Sequence, residues 1–242
     1  MLKKLKISLL ILFLFICNLG FSQTKVDREI FYNAFINGNI DKWDEYLKSV
    51  YEINPCNDSV FMDKLEYTFG IIGWYLKDKK IEKARYWNKR FLSLLEKKRA
   101  KDLNSPTIKA YYNAYLCYYV TIEKKHRIKY GRKAFNDTEK LVAEYPDNQI
   151  AQVLMGNIFI NTPSLFGGSY SKAADCFKAT LSIINKSNNK KGNWLYIYSI
   201  LKLAEIYNHE VNLKEYEFYI NKLKNIEPSI SPNVINSIKQ GK

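Results

Sequence analysis

Two histidines are the scarcest source of reactive chemistry in this chain: His126, inside Lys124-Lys125-His126-Arg127, and His209, inside Asn208-His209-Glu210. Imidazole holds zinc when a second ligand stands at fixed spacing, as in His-x-x-x-His or Cys-x-x-Cys. Neither histidine has such a neighbour, which argues against a metal site. Gly167-Gly168 lacks the following Gly-Lys-Ser or third glycine that a phosphate-cradling loop requires, and no Gly-x-Ser-x-Gly elbow occurs. The paired acids Asp44-Glu45, and Glu215 with Glu217, fall on faces expected to be solvated. Nothing would activate a nucleophile or set an acid against a base, so the chain reads as a non-enzyme without a cofactor.

The four cysteines add little reactivity. Cys17 falls in an amino-terminal apolar run, and Cys56, Cys117 and Cys176 remain. A sparse, odd set argues against a disulfide framework. Cys117 and Cys176 have apolar neighbours, as core fillers do, whereas Cys56 follows Pro55 in an expected loop.

The amino terminus carries an address. Lys3, Lys4 and Lys6 precede an apolar run at 7–16 broken only by Ser8. Gly20 and Ser22 stand three and one residues before a cut that leaves Gln23 first. That is the layout of a secretory signal peptide, so a periplasmic or secreted chain is expected. The run is about half of the ~20 residues that span a bilayer, which disfavours a retained anchor. Lipidation at Cys17 is the weaker alternative, because bulky Ile16 stands where Leu14-Phe15-Ile16-Cys17 would need a small residue. No later stretch reaches membrane length, so no transmembrane segment is expected after cleavage. The formal charge is +14, and losing three lysines with residues 1–22 leaves +11. For an exported chain this disfavours nucleic acid and leaves anionic envelope polymers or lipid headgroups as available partners. A coding bias toward Lys, Asn, Ile, Tyr and Phe accounts for the same charge without any partner.

Strand-like alternation is scarce, and apolar residues recur at spacings of three and four, as in Leu201, Ala204 and Tyr207 or Phe177, Leu181 and Ile184. The expected fold class is all-α. Breakers divide the chain into five helical hairpins near 27–53, 59–98, 106–145, 148–187 and 194–227. The dividers Asn54-Pro55, Asn104-Ser105-Pro106, Tyr145-Pro146-Asp147-Asn148 and 187–192 all carry turn chemistry. The organisation is then a signal peptide at 1–22, one helical repeat domain at 23–228 and a short tail at 229–242.

The hairpins share internal spacing. In the fifth, small Ala204 stands where two helices cross, Tyr207 follows, Leu213 packs beyond the turn, and Tyr216, Ile220, Leu223 and Pro228 complete the unit. The third repeats its second half with Ala134, Thr138, Leu141 and Pro146, and the fourth supplies Gly156, Phe159, Tyr170, Ala173 and Phe177. Tyr75, Ile81, Ala84 and Phe91 fit in the second, and Phe31, Ile40 and Leu47 fit loosely in the first. These intervals resemble the tetratricopeptide repeat, although Trp43 and Tyr216 replace its usual alanine and the units are longer than its ~34 residues. The resemblance implies an α-solenoid of about five stacked hairpins whose first helices line a concave, partner-binding face. Projected on that register, the groove residues are Tyr119, Glu123, Asn157, Ile160, Asn161, Tyr198, Glu205, Asn208 and His209. A protein or peptide is the partner this face implies.

One loop departs from the repeat. Between Phe159 and Tyr170 the tight turn is replaced by nine residues, 161–169, which include Phe166-Gly167-Gly168. A Pro-x-x-Phe-Gly-Gly loop before Tyr-x-Lys-Ala is similar to one in exported bacterial tetratricopeptide proteins, in particular the periplasmic T-component of TRAP transporters. That resemblance implies an alternative, an oligomeric subunit handling a small solute near Phe166, Gly167 and Gly168. The plainer expectation is a rigid turn with Phe166 packed over its hairpin. An enzyme acting on envelope polymers would need acids clustered in the groove.

Overall fold

A computed structural model describes residues 26–53, 58–99, 102 and 104–238. The expected signal peptide, Cys17 and Cys56 lie outside the described residues. Among the described residues there are eleven α-helices and no strand. In chain order they are α1 (Arg28–Ile36), α2 (Ile40–Glu52), α3 (Asp58–Lys77), α4 (Ile81–Arg99), α5 (Pro106–Glu123), α6 (Arg127–Glu144), α7 (Gln149–Asn161), α8 (Tyr170–Lys186), α9 (Trp194–His209), α10 (Leu213–Ile226) and α11 (Pro232–Asn236), with a 3-10 turn at Ser164–Phe166. The chain is all-α, and neighbouring helices pack in pairs from α1 with α2 to α9 with α10.

Local chemistry sets the helix starts. Side-chain oxygens of Asp27, Asn39, Ser105, Asn148, Ser169, Asn193 and Asn212 each accept a backbone N–H from the first turn of the helix they precede. Each such cap is worth about 1 kcal/mol. Four helix ends share one closing turn. The N–H of Asn39 reaches Ala34 O, that of Lys80 reaches Tyr75 O, that of Asn189 reaches Ile184 O and that of Asn212 reaches Tyr207 O. The residue before each donor is left-handed: Gly38 (φ +68°), Lys79 (+58°), Asn188 (+53°) and Val211 (+57°). Glycine and asparagine suit that conformation, whereas branched valine does not. Val211→Gly is therefore expected to raise the unfolding free energy by about 0.5–1 kcal/mol. Urea denaturation checks this, and Asn188→Gly, which relieves much less strain, should gain less.

Small residues let paired helices cross closely. Ala84, Ala134, Ala173 and Ala204 are fully buried. A Cβ on Gly156 of α7 would stand 2.8 Å from the Phe177 ring of α8. In the first pair Trp43 occupies the alanine position, and the space comes from elsewhere: a Cβ on Gly70 of α3 would lie 2.8 Å from Trp43 and 2.9 Å from Trp194.

The first and last helix pairs meet. α9 packs against α1, Tyr32 Oη donates to Glu227 Oε2 at 2.5 Å, and Ser231 N donates to Ile36 O at 2.9 Å. The segment past Pro228, expected as a tail, folds back as α11 and buries Ile230 and Ile238. Lys77 Nζ ties to Ser237 Oγ at 3.0 Å. As a result α3 is enclosed by α1, α2, α4, α5 and α9 and buries side chains on most of its circumference.

Three expectations are corrected. Asp44 is not on a solvated face: it is 7% exposed and accepts from Trp87 Nε1 at 2.5 Å and Lys48 Nζ at 2.6 Å. Leu213, expected to pack beyond its turn, is 61% exposed because it opens α10 on the outer side. Phe166, expected to cover its hairpin, is 70% exposed.

Candidate functional site

The starts of α1, α5 and α7 and the second and third turns of α3 converge on a cleft of about 300 Å³, lined among others by Arg28, Asp63, Glu66, Thr107, Tyr111 and Asp147. Ser105, Asn148 and Pro106 fix the starts of α5 and α7 there. Asn148 also bridges the two helices, its Nδ2 donating to Thr107 Oγ1 at 3.0 Å while its Oδ1 caps Ala151 N. The rim is therefore held by backbone capping rather than by long flexible side chains.

Charge in the cleft is concentrated on α3. Asp63 and Glu66 stand three residues apart, which places them on one helix face. Arg28 Nη2 meets Asp63 Oδ1 at 2.8 Å. Burial pushes the Asp63 carboxyl up, and Arg28 opposes that rise. For Arg28, burial acts downward, and the neighbouring Asp63 more than offsets it. Among the described residues Glu66 makes no ion pair of its own. Burial pushes its carboxyl up to about 7, although Trp194 Nε1 donates to Oε1 at 2.8 Å and Arg28 acts in the same lowering direction. A carboxyl near half-protonation beside an ion pair both donates and accepts, and it becomes a firm acceptor once a cation enters. Among the described residues no group of three or more His, Cys, Asp or Glu is placed to hold a metal ion.

Of the residues projected from the repeat register, all but Tyr198 lie toward the C-terminal ends of α5, α7 and α9, and Tyr198 stands in the second turn of α9. The structure brings some of them together. Tyr198 Oη donates to Asn157 Oδ1 at 2.6 Å, and Asn161 Nδ2 reaches Asn157 O at 2.8 Å. Glu205 pairs with Lys202 at 2.8 Å, and Lys202 stands 5.7 Å from the Tyr198 ring centre. Tyr198 also packs on Phe35 of α1, so the amino-terminal pair covers part of this face. Tyr119 is separate, set against Tyr115 and Tyr130, and Glu123 is held by Arg85 at 2.9 Å. His209 stacks on Tyr170 with ring centres 4.1 Å apart. Ile160 and Asn208 are half-buried.

The 161–170 loop forms a second hollow of about 290 Å³, lined by Phe159, Ile160, Thr162, Pro163, Gly168 and Tyr170 among others. Its shape is set by main-chain bonds: Phe166 N and Gly168 N both reach Pro163 O, and Ser169 N reaches Phe159 O. Gly167 has φ +96°. Cys176 is buried and Cys117 half-buried, and burial pushes the thiols up to about 11 and about 12, which leaves both inert as nucleophiles near neutrality.

None of the cleft's charged residues is in the set projected from the repeat. The signal for them is present but faint: α3 is apolar on every side, and Asp63, Lys64 and Glu66 interrupt it. Polar groups in such a helix need partners or a purpose. Lys64 has partners, since its Nζ caps the end of α2 through the Tyr51 and Ile53 carbonyls. Asp63 and Glu66 face the cleft. Comparison with protein-family models, with curated proteins and with solved structures finds no match to this chain.

Proposed function

We propose that this chain is an exported, tetratricopeptide-like binding protein, an α-solenoid variant that holds a cationic segment of a protein or peptide partner against its first helices. The buried alanines at the crossings and the paired helices support the repeat reading. The first-helix face is partly filled by α1, and the cleft is the part left open. The observation that carries the reading is the Asp63 and Glu66 pair, served by one guanidinium and free to accept another. A lysine or arginine side chain supplies the missing donors.

Fluorescence anisotropy with short Lys- and Arg-containing peptides, against Gln counterparts, tests this directly. Asp63→Asn with Glu66→Gln should weaken the cationic peptides about tenfold or more, the value of one to two charge-assisted hydrogen bonds. If the double variant binds as the parent does, the cleft is not the site. Asn157→Ala with Tyr198→Ala then tests the face projected from the repeat register.

Two observations favour other readings. The Asp63–Glu66 pair is also the acid cluster that hydrolysis of an envelope polymer would require. Glycan release by the parent and none by Glu66→Gln would replace binding with catalysis. The hollow beneath the 161–170 loop is solute-sized, as a subunit similar to the T-component of TRAP transporters would need. That reading requires a stable oligomer, and a monomer by light scattering removes it.

A further inference from the structure

The turns inside helix pairs three, four and five lie along one edge of the molecule. Each joins the C-terminal end of a first helix to the start of its partner. Five large apolar side chains are more than three-fifths exposed among the described residues, and all five sit on this edge: Ile128 (80%), Leu165 (87%), Phe166 (70%), Val211 (76%) and Leu213 (61%). Isolated exposed apolar residues are ordinary, but alignment at three successive turns is not.

The packing brings these turns together. Gly167, next to Phe166, lies against the Phe135 ring of α6, which packs on Phe159 with centres 5.8 Å apart. Ile128 precedes Phe135 by seven residues, two helical turns, so it shares that stripe about 10 Å away. The Tyr170–His209 stack then joins the start of α8 to the end of α9, immediately before Val211.

Cations flank the apolar tips. Lys124, Lys125, Arg127, Lys129, Arg132 and Lys133 are all exposed, and residues 124–136 contain no acid. Lys172 stands over the Phe159 ring at 5.6 Å. Nearby acids are partly engaged, Glu123 by Arg85 and Asp137 by Lys133, while Glu210 and Glu215 flank only the last turn. No described helix is long and apolar enough to cross a membrane. Short apolar tips ringed by Lys and Arg suit shallow insertion among anionic headgroups.

We propose that this edge docks on an anionic lipid surface, with Leu165 and Phe166 entering the headgroup region and the 124–133 cations binding phosphates. The proposal stands independently of what the cleft holds. Docked this way, the molecule turns the cleft, at the other ends of the first helices, away from the lipid.

Vesicle flotation tests it with residues 23–242, because the apolar run at 7–16 would partition into lipid by itself. The expected result is binding to phosphatidylglycerol-containing vesicles, little binding to pure phosphatidylcholine, and loss at high salt. Leu165→Ser with Phe166→Ser should weaken binding about tenfold, and each cation removed by Lys124→Gln, Lys125→Gln or Arg132→Gln about fivefold. These side chains are exposed, so unchanged circular dichroism is expected and confirms folding. Absence of binding, equal binding to neutral vesicles, or parent-like binding by the Leu165/Phe166 variant overturns the proposal. The last outcome would instead indicate a purely electrostatic site for soluble anionic polymers.

Discussion

Gly168→Ala is expected to lower the unfolding free energy by about 3 kcal/mol and to open the 161–170 loop to proteolysis. A Cβ at this position would stand 1.7 Å from Thr162 O, 2.6 Å from Thr162 C and 3.1 Å from Phe159 O. All three are backbone atoms, so no rotamer change relieves the overlap. The same peptide region carries the Gly168 N to Pro163 O and Ser169 N to Phe159 O bonds, and Ser169 caps α8. Moving this backbone segment aside therefore costs the cap as well as the loop. Gly167→Ala is the comparison. Its φ of +96° disfavours any side chain, but the atom met is the Phe135 ring at 3.3 Å, which can tilt. A loss of about 1–2 kcal/mol is expected there. Thermal denaturation of both variants, with loop proteolysis, checks the order, and equal losses would contradict the close backbone approach at Gly168.

That loop also marks what was readable in advance. The Gly-Gly pair signals a positive φ and a close approach, and both occur, at Gly167 and Gly168 respectively. Its side-chain placement was not readable, because Phe166 has apolar neighbours in sequence and none to cover it in space. Helix pairs follow the breakers closely for the same reason. Caps and turn residues act within three or four positions, so Asn148 or Ser105 announces its helix regardless of the fold. Left-handed Val211 and Lys79 lack that announcement, since their backbone conformation is imposed by the Schellman bonds around them and not by their own preference.

Long-range partnerships left weaker traces. Trp43 looks like a misfit at an alanine position until Gly70 is seen to leave room for it and for Trp194. Asp44 looks solvated until Trp87 is placed 43 positions away and donates to it. Contact between α1 and α9 has no periodic signature, and it changes the first-helix face most. It buries part of the surface a regular repeat would leave open and encloses α3, so two acids on α3 become the charge of the remaining cleft. The cleft acids thus lie on α3, away from the residues projected from the register on α5, α7 and α9. The breakers and apolar spacing locate helices and their pairing. They do not say which surface between the helices stays open.

Trp194 joins that core to the cleft, and its removal carries the largest expected effect. The indole is 4% exposed, meets Trp43 at 5.3 Å and Phe35 at 5.6 Å, and donates to Glu66. Trp194→Ala should cost about 4 kcal/mol through the cavity and the lost contacts. Trp194→Phe keeps an aromatic ring in the core but loses the donor and part of the indole packed beside Gly70, so about 2 kcal/mol is expected. The pH dependence separates the two terms. The Glu66 carboxyl is raised from its ordinary 4.5 to about 7 in the folded chain. The native state therefore holds a proton that the unfolded chain releases. Its contribution is fully present below pH 4.5 and is lost as pH rises toward and through 7. At about 1.4 kcal/mol per unit, reduced for water entering the cleft, this group removes about 2 kcal/mol between pH 4.5 and 8. Glu66→Gln should remove that slope and exceed the parent in stability above pH 7. Trp194→Phe should steepen it, because the indole donor is one of the influences holding the carboxyl down. Urea midpoints at pH 5 and pH 8 measure both. If Trp194→Phe loses the same amount at each pH, the indole serves packing alone, and Glu66 is free to exchange water for a ligand without disturbing the core.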